Sequence, residues 1–252
     1  ARGFAGTELL IWIGTVMATF PIFYAVIEND LRRVLTYSMT NQLGFMVVGI
    51  GIGTELAING AVAHAFAYIL FKGLLFMSMG AVLLRVGTVK GSELGGLYKS
   101  MPWTTGFCIV GAASISAFPL FSGFVTKSMI MTAAAQEGLT LNWLVLLFAS
   151  AGVLEHAGIK IPYFAFFVHD SGKRCEEAPG NMLAAMGVAA ALCIGIGVAP
   201  GALYSLLPHA VNYDPYTASH VVAQMQLLLF ATLAIAVLLR TGIYPPEVRS
   251  VN

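Results

Sequence analysis

Two stretches of otherwise apolar sequence carry titratable side chains at helical spacing. In AVAHAFAYILFKGLLF, His64, Tyr68 and Lys72 recur every four residues. On an α-helix each four-residue step turns only about 40°, so the three form one polar stripe about 12 Å long. Histidine gains and loses a proton near neutral pH, and a tyrosine hydroxyl can pass a hydrogen bond along the stripe. A lysine in a low-dielectric medium can also exchange its proton near neutrality. The chemistry of such a stripe is a proton relay. Its structural alternative is a histidine bonded to a neighbouring helix and a lysine snorkelling to the nearest interface.

Lys127 lies in FPLFSGFVTKSMIM, one to two turns after Pro119. Proline removes an amide donor and clashes with the preceding turn, so a discontinuous helix is predicted there. Broken helices expose backbone groups and polarise their two halves, which is a recurrent way to build ion sites at the bilayer midplane. The other reading places Lys127 at the membrane surface, on a span shortened by the break. ASAGVLEHAGIKIPYF contributes Glu155, His156 and Lys160. Glu155 and Lys160 are five apart and are not partners on a regular helix. Glu155 can instead pair with Lys72 or Lys127 across helices, or the segment can be a hydrated interfacial one. These three are candidate proton-transfer or ion-pair residues.

Composition decides what medium surrounds these groups. The chain has 252 residues, 58% of them hydrophobic and 10% charged, with mean hydropathy +0.82. Soluble domains carry about 25% charged residues, so this chain cannot cover its apolar mass with a wet surface. It reads as an all-α polytopic membrane protein, since only helices satisfy their own backbone in lipid at this hydropathy. Net charge +1 and pI near 7.9 exclude a nucleic-acid surface. Cys108, Cys175 and Cys193 are far apart and lack metal spacing. There is no phosphate-binding Gly loop, no haem pair, no metal cluster and no Ser nucleophile beside a base. Translocation without a cofactor is therefore expected in place of chemistry on a bound substrate, and the chain is not read as an enzyme.

Seven apolar stretches are long enough to cross about 30 Å of hydrocarbon: 7–27, 34–53, 57–85, 103–135, 141–168, 182–206 and 220–240. The fourth holds the Pro119 break, and Gly152, Gly158 and Pro162 are expected to bend the fifth. With spans alternating sides, one face receives Arg32, Arg33, Arg85, Lys90, Lys99, Lys173, Arg174, Arg240 and Arg249. The other receives only Arg2, while Lys72, Lys127 and Lys160 lie within spans. This asymmetry makes the basic side cytoplasmic, with the N-terminus outside and the C-terminus inside. Asp30 reads as a helix N-cap, with Arg32 and Arg33 anchoring the cytoplasmic end. Gly187, Ala191, Gly195 and Ala199, at four-residue spacing, read as a face that packs tightly on another helix, within the chain or in a partner. The chain opens at Ala1 without Met, which reads as a fragment or a processed form.

Asp30-Leu-Arg-Arg-Val-Leu-Thr-Tyr-Ser38 followed by Asn41-Gln42-Leu43-Gly44 resembles a segment of the proton-conducting antiporter-like subunits. That family includes large subunits of Mrp-type sodium/proton antiporters, among them the D-type, and the antiporter-like subunits of respiratory complex I. His64-Ala65 through Lys72-Gly73-Leu74-Leu75-Phe76 resembles its histidine–lysine helix, where Tyr68 stands at a position that is histidine in many members. Leu94-Gly-Gly-Leu97 with Met101-Pro102 resembles a family loop, and Ser116-Ala117-Phe118-Pro119 through Gly123-Phe124 and Lys127 resembles its broken helix. IKIPYFAFF (159–167) leans towards the D-type of Mrp antiporters.

The resemblance implies proton-transfer roles for His64, Tyr68, Lys72 and Lys127. It also implies an inverted-repeat architecture, of which this chain would hold the second five-helix unit (1–168) followed by two further transmembrane helices (169–252). An N-terminal repeat would lie on a separate polypeptide or outside this sequence. The implied function is that of a proton-translocating membrane subunit of a multisubunit Na⁺/H⁺ antiporter in the cell inner membrane. Its partners would be lipid, other subunits, H⁺ and Na⁺. The alternatives are a proton-pumping subunit of a complex I-like or membrane hydrogenase complex, and a non-conducting scaffold.

Overall fold

The computed structural model describes residues 7–168 and 170–242, and the described elements are helical. Helix α1 (Glu8–Ile27) and helix α2 (Leu31–Ile52) are joined by a three-residue turn. The Asp30 carboxylate caps α2 by accepting from the amides of Arg32 and Arg33 at 2.8 and 3.1 Å, as its position predicted. Pro21 lies inside α1, which nonetheless runs unbroken. Helix α3 (Glu55–Val86) is 32 residues long, about 48 Å at 1.5 Å per residue, and overshoots the hydrocarbon thickness.

The fourth apolar stretch is broken where Pro119 predicted. Helix α4 (Pro102–Ile115) ends before it and helix α5 (Ser122–Gln136) begins after it. In the intervening turn Ala117 and Leu120 have φ of 56° and 74°, left-handed values that cost non-glycine residues about 1 kcal/mol or more each. Neighbours hold that turn by close approach. A Cβ on Gly123 would sit 1.8 Å from the Ser114 carbonyl oxygen, and one on Gly197 would sit 2.2 Å from that of Leu120. A Cβ on Gly158 would meet Ser116 Oγ at 2.1 Å.

Helix α6 (Thr140–Phe167) bends as its Gly and Pro content implied, through two π-helical segments, Leu154–Ile159 and Tyr163–Phe167. Pro162 has no amide to offer the Gly158 carbonyl, which loosens the ordinary ladder between them. Helix α7 (Gly180–Val198) is shorter than the 182–206 stretch suggested. Ala199 precedes Pro200, leaves the helical region (φ −129°, ψ 71°), and only a one-turn helix, Gly201–Tyr204, follows. Helix α8 (Ala218–Thr241) completes the described chain.

Five helices (α1, α3, α6, α7 and α8) are each long and apolar enough to cross a membrane. The reading of seven crossings adds α2 and the broken α4–α5 pair. The main core gathers α2, α3, α4, α6 and α7 around Leu35, Phe71, Leu75, Ile161 and Met186. Within α7 the buried residues are Met186, Ala189, Ala190, Cys193 and Gly197, whereas Ala191, Gly195 and Ala199 are exposed. The small-residue stripe thus makes no tight contact inside this chain, and the close approach is made by Gly197.

Basic loops cluster at one end. Asp30 and Lys90 are bridged through their backbones, Arg85 pairs with Glu176 at 3.4 Å, and Asp170 pairs with Lys99 and Arg174 at 2.9 and 2.7 Å. Arg174 and Lys99 hold the Asp170 carboxyl well below the usual carboxylate range. Burial pushes the Cys175 thiol up. Arg2 and Arg249 lie outside the described residues. From the same loop, the Glu177 carboxylate accepts from the Trp103 amide at 2.8 Å and the Thr104 hydroxyl at 2.6 Å, capping α4 from a distance.

Two substitutions check this packing by thermal denaturation of the purified assembly. Gly123→Ala drives a methyl into the Ser114 carbonyl and is expected to cost about 3 kcal/mol. Gly106→Ala, with nothing within 4 Å of the added atom, is expected to be neutral or stabilising by up to about 1 kcal/mol. Glu177→Ala removes the α4 cap and is expected to cost about 1 kcal/mol, read as a lower melting temperature.

Candidate functional site

His64 is fully buried where α2, α3 and α5 meet. Its Nδ1 lies 3.0 Å from Thr126 Oγ1 on α5, and its Nε2 lies 3.1 Å from Gln42 Oε1 on α2. Gln42 Nε2 donates to Asn41 Oδ1 at 2.6 Å, and Asn41 Nδ2 donates to the Ala18 carbonyl on α1. Phe45 and Phe71 pack around the imidazole, with ring centroids at 6.4 and 5.9 Å. None of these polar partners was assigned a role by sequence reasoning. The available signal was Asn41-Gln42 itself, two amides inside an apolar run.

Lys127 stands one residue beyond Thr126, 2% exposed and so not at the surface. Its Nζ donates to the Ile115 carbonyl at 3.2 Å and lies 4.9 Å from the Phe45 ring centroid. Ile115 ends α4, so its carbonyl belongs to the last turn that no further helix satisfies. The ammonium is docked on the negative end of the half-helix, where a cation is favoured. The neighbouring carbonyls of the break are also served. Gln224 Nε2, on α8, approaches Ala117 O at 3.1 Å and Ser116 O at 3.5 Å. Lys127 also borders a cavity of about 680 Å³ between α5, α6 and α8, lined in part by Ser128, Thr132, Ser150, His220 and Gln224.

Lys72 lies on α3, 3% exposed, with Nζ 5.9 Å from the Phe76 ring centroid and no hydrogen-bond partner among the described residues. Tyr68 is half-buried and stacks edge-on to Phe71, and its hydroxyl likewise has no partner among them. The expected stripe is therefore present on one helix, with Phe71 packed against both His64 and Tyr68 and no direct hydrogen bond joining its three members. His156 is fully buried in the π-helical part of α6, its ring making only a loose approach to the Gly152 carbonyl one turn back. Lys72, Lys160 and Lys127 all lie within its electrostatic reach, as Lys127 does for His64. Buried polar atoms without a protein partner, Tyr68 Oη, Lys72 Nζ and Ser128 Oγ, are positions that water must occupy.

Lys160 is differently placed. Its Nζ donates to three carbonyls at the end of α1: Ala25 at 3.0 Å, Val26 at 2.6 Å and Glu28 at 2.7 Å. All three ammonium protons are committed, and the residue acts as a C-cap. Glu155 attracts it electrostatically. A π turn closes over five residues, which brings this i, i+5 pair to one face where an α-helix would not.

The described residues hold no group of three or more His, Cys, Asp or Glu suited to a metal ion. Residues 4–155 match the family described as NADH:quinone oxidoreductase/Mrp antiporter, TM. Hydrogenase-4 component B of Escherichia coli is 28% identical over 94% of this chain and 40% of its own length. The D-type Na(+)/H(+) antiporter subunit of Alkalihalophilus pseudofirmus is 38% identical over 52% of this chain and 27% of its own length. Among solved structures, the membrane-bound sulfane sulfur reductase, an archaeal respiratory membrane complex, contains a chain that superposes with TM-score 0.75 at 26% identity. That superposition covers 98% of this chain and 42% of the other. The chain thus spans less than half the length of each of these relatives. It belongs to the family of membrane subunits shared by NADH:quinone oxidoreductases and Mrp antiporters.

Proposed function

We propose that this chain carries one half of a proton path in a multisubunit membrane complex, with Lys72, His64 and Lys127 as carriers and Tyr68 and His156 lining the hydrated route between them. The observation that carries the reading is Lys72, an almost fully buried lysine whose ammonium has no protein partner among the described residues. Leaving such a group buried costs several kcal/mol, and a cost of that kind is retained where function needs it. Like charges within reach of one another disfavour simultaneous protonation, so proton transfer between the lysines and histidines proceeds in steps. Lys160, fully bonded, fixes the α1–α6 contact and takes no part in transfer. The basic end of the bundle is the cytoplasmic one, with the N-terminus outside, in the inner membrane. Residues 1–168 form the five-helix unit and 169–252 the two helices that follow it.

Two couplings fit that path. In the first, the subunit exchanges monovalent cations, Na⁺ above all, for H⁺, as the name of its antiporter relative suggests. In the second, it pumps protons in a redox-driven complex. The second is favoured by extent: the hydrogenase component and the respiratory complex match 94% and 98% of the chain, α7 and α8 included, against 52% for the antiporter relative. Proton uptake by vesicles holding the complex, driven by a Na⁺ gradient in one set and by electron donor in another, separates the two.

Lysine variants test the path itself. Lys72→Met and Lys127→Met are each expected to lower proton translocation by about 100-fold in those vesicles. Lys72→Met is also expected to leave thermal stability unchanged or higher, because it removes an unpaired charge. Lys160→Met is expected to do the reverse on stability, losing about 3 kcal/mol as three carbonyls lose their donor. Wild-type translocation by both Lys72→Met and Lys127→Met would leave the chain a scaffold.

A further inference from the structure

We infer that Asn41 and Gln42 fix the tautomer of His64, so that the imidazole holds its proton on Nε2 and takes up a second one only at Nδ1, through Thr126. The inference deepens the proposed proton path and rests on it for its functional meaning. The hydrogen-bond polarity follows from one end of the chain of contacts. The Ala18 carbonyl can only accept, so the group Asn41 turns to it is Nδ2. Asn41 then presents Oδ1 to Gln42, which must donate from Nε2. Gln42 is left with Oε1 towards His64 Nε2 at 3.1 Å, and an amide oxygen can only accept. His64 therefore donates from Nε2. No amide flip satisfies this sequence in the opposite sense, because a backbone carbonyl terminates it.

That side of the imidazole is closed to proton traffic. Two carboxamides and a main-chain carbonyl offer no group that ionises, and both amides are buried. The open side is Nδ1, 3.0 Å from Thr126 Oγ1, on the residue adjacent to Lys127. Thr126 has one hydroxyl proton and two acceptors in reach, His64 Nδ1 and the Ser122 carbonyl, also at 3.0 Å. With neutral His64 the hydroxyl donates to Nδ1. Loading moves that proton onto Nδ1 while Thr126 Oγ1 takes a replacement from a protonated donor on the Lys127 side, an ammonium or a water. The imidazole gains one proton, the donor loses one, and the hydroxyl is restored. Nδ1–H then donates to Oγ1, and the hydroxyl turns to Ser122 O. Thr126 is thus the contact through which His64 is filled and emptied, and Asn41 and Gln42 are positioning residues that force traffic to that side.

The test uses the assembled complex labelled with nitrogen-15 histidine, reading by solid-state NMR the resonances that disappear in His64→Gln. Neutral wild-type His64 is expected to show protonated Nε2 and bare Nδ1, and Gln42→Leu is expected to populate both tautomers. Thr126→Val is expected to keep the wild-type tautomer while translocation falls about 100-fold, with Thr126→Ser near the wild-type rate. A proton on Nδ1 in neutral wild-type His64 overturns the inference, and needs no variant of Gln42 to fold. Wild-type translocation by Thr126→Val while His64→Gln is inactive overturns it too. Wild-type translocation by His64→Gln would instead remove His64 from the proposed path, and the spectrum would still decide the tautomer.

Discussion

In a bilayer no water rescues the carbonyls at the end of a helix, so a helix interrupted in mid-membrane must find donors within the protein. The end of α4 meets that constraint with two side chains from elsewhere: Lys127 reaches the Ile115 carbonyl, and Gln224 the carbonyls of Ala117 and Ser116. The break therefore fixes where a lysine ammonium can rest. Three glycines, Gly123, Gly158 and Gly197, let α5, α6 and α7 close on the turn so tightly that its left-handed residues are held in place. What is unusual in the backbone and what is unusual in the charge distribution are one feature.

The buried lysines divide by how fully they are bonded. Lys160 spends its three donors on α1 and behaves as a structural cap. Lys127 has one carbonyl and a cavity beside it, and Lys72 has no partner among the described residues. A gradient from satisfied to unsatisfied separates architecture from transfer more clearly than burial does, since all three are buried. The two histidines follow the same division. His64 is gripped from both sides, whereas His156 sits in a π-helical segment with its ring loosely held, within reach of three lysines.

Much of this was legible in the sequence because lipid punishes exceptions. Pro119 marked the break, Asp30 the α2 cap, and Gly152, Gly158 and Pro162 the bend in α6, each through a local rule about backbone donors. The four-residue spacing of His64, Tyr68 and Lys72 placed them on one helix face. Local rules could not reveal what crosses between elements. Nothing in Asn41-Gln42 or Thr126 announces that they meet His64, since those contacts depend on how α2 and α5 dock against α3. The i, i+5 relation of Glu155 and Lys160 looked unhelpful under α-helical geometry and became meaningful only in a π turn. The far end of the sixth stretch was overrun because hydropathy continues through Ala199 and Pro200 although the helix cannot.

The central claim is that the interior of this bundle is wet where its charges are. High-resolution cryo-electron microscopy of the assembled complex tests it directly, by locating ordered water. The account predicts water bonded to Lys72 Nζ, Tyr68 Oη and Ser128 Oγ, continuing into the cavity beside Lys127. A dry interior, with Lys72 extended to a protein carbonyl or to the lipid headgroups, would contradict it.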